Sequence, residues 1–152
     1  SDYGPMDAAE LVRSLHIGVE LAGSPLATIN ELGPAVVVSD FGNNAGVYVG
    51  RAIDDWRDRP WSRFTCATWI DGRQVGRGGA LSLPGGPLAA LAFALNRGAR
   101  RGLPLKAGMV VSTGAATGIH DILPGQRALV GFDGLGDLAG RAFTALPLDA
   151  SA

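Results

Sequence analysis

Gly98-Ala99-Arg100-Arg101-Gly102-Leu103-Pro104-Leu105-Lys106-Ala107-Gly108-Met109-Val110-Val111-Ser112-Thr113-Gly114 changes pattern three times within one short stretch. It closes a helix, runs through a short apolar segment of strand character, and opens into a loop of small residues. Upstream, Leu88, Leu91, Ala92, Leu95 and Ala99 recur at helical spacing, so a helix is predicted over Pro87 to Arg101. Pro87 suits its first turn, Arg100 and Arg101 favour the C-terminal dipole, and Gly102 suits a left-handed cap. Downstream, Ser112-Thr113-Gly114-Ala115-Ala116-Thr117-Gly118 follows the apolar Met109-Val110-Val111 directly. Loops of this kind let backbone N–H groups approach a carboxylate or phosphate, although a plain connection has the same composition. The segment matches neither a phosphate-binding P-loop nor a dinucleotide fingerprint.

Further along the chain, Arg127 to Phe132 and Leu138 to Thr144 flank the turn residues Asp133-Gly134-Leu135-Gly136-Asp137. On the other side, Phe64 to Ile70 and Gln74 to Gly78 are strand-like around Asp71-Gly72, the strongest short hairpin signal in the chain. Near the start, Asp7 and Glu10 have the spacing of a capping box, which predicts a short helix over Ala8 to Leu15. His16 to Leu21 alternates, placing Ile17, Val19 and Leu21 on one face and His16, Gly18 and Glu20 on the other. Ala35-Val36-Val37-Val38 and Val47-Tyr48-Val49 are short continuous apolar runs, and the charged, aromatic stretch Asp54 to Trp61 reads as a surface connection.

The 152 residues suffice for one domain with a single core. Thirteen basic against 14 acidic side chains give a net charge of −1, which disfavours nucleic acid as a partner. No run of apolar residues is long enough for a membrane span, and the first residues lack a signal peptide's pattern. The single cysteine, Cys66, excludes an internal disulfide and fits a reducing compartment, by default the cytoplasm. Glycine is abundant at 23 residues, whereas glutamate occurs only at positions 10, 20 and 31.

Among candidate chemical groups, Glu20 is either an exposed strand carboxylate or an oxygen ligand for a hard cation such as Mg²⁺ or Mn²⁺. Asp40 to Gly46 has ordinary turn composition, and its amides could also orient an anionic substrate. His16 and His120 lack zinc-hydrolase spacing; His120, which shares a loop with Asp121 and follows Thr113-Gly114, is the better candidate for proton transfer. Cys66, in an apolar strand, is expected to be inert core.

Three segments together resemble a known family: Val19 to Leu26, Val38 to Gly50, and the Gly98 to Gly114 stretch. They are similar to the 2-keto-4-pentenoate hydratase branch of the fumarylacetoacetate hydrolase superfamily, with Pro124-Gly125-Gln126 and Gly134-Leu135-Gly136 resembling its closing strands. The resemblance implies an α+β fold, a mixed β-roll with a few packed helices, and one Mg²⁺ or Mn²⁺ that binds the carboxylate and 2-oxo group of a 2-oxo acid. The cation would stabilise the enolate before water adds; related members decarboxylate or cleave C–C bonds. Carried over position by position, Glu20 matches a metal ligand, Asp40 and Asn44 fall in the polar active-site segment, and Thr113 and Gly114 lie in the substrate-facing loop. On this reading Asp40 and His120 are the catalytic candidates.

There are departures. Gly23-Ser24-Pro25 stands where relatives carry Asp-Ser-Arg, and Asn43-Asn44 where they carry a serine pair. The family's E-x-E metal strand and its catalytic lysine, which precede this region, have no counterpart here. The chain is therefore expected to be a single domain over 1–152 that corresponds to the C-terminal catalytic-core portion of a longer hydratase-like protein. It is expected to hold Mg²⁺ weakly by itself, to form homo-oligomers, or else to be a non-catalytic scaffold that keeps the fold.

Overall fold

The computed structural model describes residues 2–144 apart from 27 and 30. Its three α-helices and two antiparallel sheets make the α+β architecture expected of the sequence. Helix α1 spans Pro5–Leu11, beginning and ending earlier than the predicted Ala8 to Leu15. Proline at the first helical position sets its start, and Asp7 lies inside the first turn, where its carboxylate accepts the Gly4 N–H at 2.7 Å. Its neighbour is the long helix Gly86–Arg100, which ends as predicted before Gly102 at φ +72°. Asn96 on that helix clasps the chain leading into α1: its Oδ1 accepts the Tyr3 N–H and its Nδ2 donates to the Tyr3 carbonyl.

Strands β1 (His16–Ala22) and β2 (Asn44–Ala52) pair into a two-stranded sheet. Between them, the Ala35 to Val38 run is part of a short helix, α2 (Pro34–Ser39), rather than a strand. Gly33 as cap and Pro34 at the first position favour a helical turn there, and Val38 stays 75% exposed. The second sheet has the order β4-β3-β5-β6, from β3 (Thr65–Ile70), β4 (Arg73–Gly79), β5 (Arg127–Phe132) and β6 (Gly136–Arg141). The β3–β4 hairpin turns where predicted, with Asp71 at φ +48° and Gly72 at φ +79°, the left-handed pair that suits the strand twist. The long helix Gly86–Arg100, α3, precedes β5 in the chain.

Met109-Val110-Val111 is not a strand, contrary to the sequence reading. A strand exists only against a hydrogen-bonding neighbour, and none lies beside this segment among the described residues; Met109 and Val110 are exposed. The Asp54 to Trp61 stretch is not wholly surface. It is a connection of turns, but Trp56 is only 5% exposed and joins Ile17, Ile53 and Leu135 in the core. Its indole satisfies the demand for buried apolar area, while the Arg57 guanidinium stacks on the ring at 4.1 Å and stays outside.

This core joins the two sheets. Gly50 on β2 lies where they meet, since a Cβ there would stand 2.7 Å from Ile17 of β1 and 2.8 Å from Leu138 of β6. The core is nevertheless small: the accessible surface is 10864 Å², against about 7,200 Å² for a folded monomer of this mass. Among the described residues no helix is long and apolar enough to cross a membrane.

Candidate functional site

Alternation along β1 turns Ile17 into the core and Glu20 outward. Glu20 pairs in register with Val47, so the next position of β2 on that face would, in a regular ladder, be Ala45 opposite Ala22. A bulge intervenes: the register shifts between Leu21 and Ala22, and Ala22 faces Asn44 instead. The bulge thereby brings Asn44 diagonally across from Glu20, and its Nδ2 donates to Glu20 Oε1 at 2.8 Å.

The other carboxylate oxygen is held from a distant segment. Ser112 Oγ donates to Glu20 Oε2 at 2.7 Å across 92 residues of sequence. Ser112 was not among the sequence-derived candidates, although it begins the glycine-bearing loop that was. The signal that could have found it is its position directly before Thr113-Gly114; its partner could not be read from spacing.

Past Ser112, the chain lies across the four-stranded sheet. Thr117 Oγ1 and Thr68 Oγ1 on β3 are 2.9 Å apart, and His120 Nε2 donates to the Thr117 carbonyl at 2.9 Å. The glycines of β4 are the seat for this segment. A Cβ on Gly78 would stand 1.9 Å from the Ala116 carbonyl oxygen, and one on Gly76 would stand 2.3 Å from both the Thr117 carbonyl oxygen and His120 Nε2. With Nε2 bound, His120 has the tautomer that leaves Nδ1 as an acceptor, and Nδ1 has no protein partner among the described residues.

The structure thus brings Glu20, Asn44 and Ser112 together. Thr113 and Gly114 continue from Ser112, Thr113 half-buried and Gly114 at φ +126°. Asp40 stands half-buried between α2 and the turn Phe41–Asn43 and makes no side-chain hydrogen bond to the Glu20 group among the described residues. His120 makes none either; its contacts are on β4 and its own loop. His16 is satisfied on both ring nitrogens, donating from Nδ1 to the Gly50 carbonyl, with Nε2 2.9 Å from Ser14 Oγ. Burial, reinforced by the nearby Asp133 charge, pushes the Cys66 thiol above its ordinary pKa, in keeping with inert core.

Glu20 fits the role of one oxygen ligand for a hard dication. The carboxylate is exposed, its two oxygens are oriented by neutral donors, and the salt bridges among the described residues, Arg59–Asp55 and Arg100–Asp2, do not engage it. It is one ligand and not a set: among the described residues no group of three or more His, Cys, Asp or Glu side chains could hold a metal ion.

No protein-family model matches the chain, and no curated protein matches it. Solved structures do. 4-Oxalocrotonate decarboxylase from Pseudomonas putida G7, complexed with calcium and acetate, superposes with a TM-score of 0.79 and 24% identity, over 91% of this chain and 52% of that one. The same enzyme with magnesium and adipate gives 0.64 and 26%, over 72% and 42%. Fumarylpyruvate hydrolase from Pseudomonas aeruginosa, with Mn²⁺ and pyruvate, gives 0.68 and 20%, over 95% and 60%. The chain spans about half the length of these structures.

Proposed function

The chain has the fold of the fumarylacetoacetate hydrolase superfamily, to which both neighbouring enzymes belong, and from this premise we propose that it supplies part of the active site of a lyase or hydrolase acting on a 2-oxo acid. The observation that carries the reading is the Glu20 carboxylate, fixed by Asn44 and Ser112 at the open face of β1. Glu20 is one ligand of a divalent cation whose remaining ligands lie outside the described residues. Bound there, the cation would act as a Lewis acid toward the substrate's oxygens.

The chain's own groups take the other roles. Thr113 and Gly114 face the substrate carboxylate with hydroxyl and backbone N–H donors, because a glycine at positive φ lets the backbone approach closely. His120 holds Nε2–H on the Thr117 carbonyl, which leaves Nδ1 as the proton acceptor; Asp40 is the second proton-transfer group. Hydration of a dienoate is the reaction suggested by the sequence resemblance. Decarboxylation is the second reading, favoured by the overlap with the decarboxylase at a TM-score of 0.79. The excess accessible surface supports an oligomer, or a longer polypeptide, that covers the open face.

Cation binding tests the reading. Titrated with Mn²⁺, the chain alone is expected to bind weakly, and the chain extended upstream to bind tightly; Glu20→Gln abolishes both. No turnover of 2-hydroxypenta-2,4-dienoate is expected from the 152 residues alone. Normal turnover by them would refute the incomplete site, and absence of cation binding in both forms would favour the scaffold.

A further inference from the structure

We propose that Ser112 is a positioning residue for the Glu20 carboxylate, setting the orientation in which that group meets a cation; the inference rests on the reading of Glu20 as a cation ligand. An exposed glutamate samples many rotamers, and ordering it on binding costs conformational entropy. Here each oxygen accepts one hydrogen bond from a neutral donor, Asn44 Nδ2 on Oε1 and Ser112 Oγ on Oε2. Each oxygen keeps a further lone-pair direction, so the two bonds orient the carboxylate without consuming its capacity as a ligand.

The two donors differ in how they are held. Asn44 is in the sheet itself, as the bulged neighbour of Ala22. Ser112 lies outside any helix or strand, yet the segment it begins is tied down five residues later, where Thr117 meets Thr68 and the Ala116 and Thr117 carbonyls rest on Gly78 and Gly76. The segment 112–120 is therefore a strap between the two sheets, with its first hydroxyl on Glu20. Partners that orient a ligand from outside the coordination sphere typically change cation affinity strongly when removed.

The chain's three glutamates make the test direct, because ¹³C-labelled glutamate gives three δ-carbon signals. Mn²⁺, added stepwise, is expected to broaden the Glu20 signal well before those of Glu10 and Glu31. Ser112→Ala should raise the Mn²⁺ concentration needed by about tenfold, and Ser112→Thr, which keeps the hydroxyl, should restore it. Ser112 is exposed, so both variants should fold; unmoved Glu10 and Glu31 signals confirm it. Equal broadening of Glu20 in the parent and in Ser112→Ala would overturn the positioning role while leaving Glu20 a ligand. No selective broadening of Glu20, either in the parent or in the chain extended upstream, would overturn both readings, and failure of Ser112→Thr to recover the response would also count against the hydroxyl.

Discussion

The two sheets divide the work unequally. In the four-stranded sheet, β3 is flanked on both sides and buries Cys66, Ala67 and Thr68 in succession; the β3–β5 and β5–β6 pairings each keep one register throughout, and the β3–β4 pairing shifts once, between Thr68 and Trp69. In the two-stranded sheet both outer edges are unpaired among the described residues, the register shifts twice, and Leu21, Tyr48 and Val49 are exposed. Yet Glu20 is on the second. The better-packed sheet contributes to the site indirectly, as the bed on which the 112–120 segment lies, and the less-covered sheet carries the charged group. Stability and candidate chemistry are thus concentrated in different places, which makes the contrast testable by mutation.

Trp56→Ala should have the largest effect, about 3–5 kcal/mol of lost stability, because it empties the core that joins the sheets; urea unfolding measures it. A loss below about 1 kcal/mol would mean the sheets hold independently of this core. Gly78→Ala comes next, at about 1–3 kcal/mol, since its Cβ would collide with the Ala116 carbonyl and lift the segment off β4. The same variant should shift the Glu20 δ-carbon signal, and an unmoved signal would uncouple the two sheets.

A smaller effect concerns pH. Burial raises the folded-state pKa of Cys66, so above the ordinary thiol value of about 8.5 the unfolded chain loses its proton first. Stability should therefore fall as pH rises through that value, and Cys66→Ala should remove this part of the slope. Tyr48→Ser, on the open ribbon, should change the unfolding free energy of an isolated chain by no more than about 0.5 kcal/mol. If the ribbon face is covered in an oligomer, sedimentation of the same variant should show a weakened assembly.

Local patterns announced the elements that local forces decide. The Asp71-Gly72 turn needs only residues that tolerate positive φ, and α3 needs only its apolar spacing and flanking Gly102, so both were legible. Ala35 to Val38 was too short for periodicity to separate helix from strand, and Gly33-Pro34 decided it. Trp56 looked like surface because charged neighbours surround it in sequence, whereas burial is settled by what packs on the ring from elsewhere. Glu20 stood out on its strand face, but its partners did not. Asn44 reaches it through a bulge, and Ser112 through a loop path fixed by glycines on another sheet. Neither depends on nearby sequence.

That bulge has a further implication for how such a site diversifies. Ala45 is the surplus residue that places Asn44, and not itself, opposite Ala22. What stands beside the carboxylate is thus determined by a count of residues as much as by their kinds. Inserting or removing one residue in this short stretch could exchange an amide for a methyl group there with no substitution at all. Among proteins built this way, selectivity is therefore to be sought in small length differences at the start of β2 as well as in the identities of the side chains.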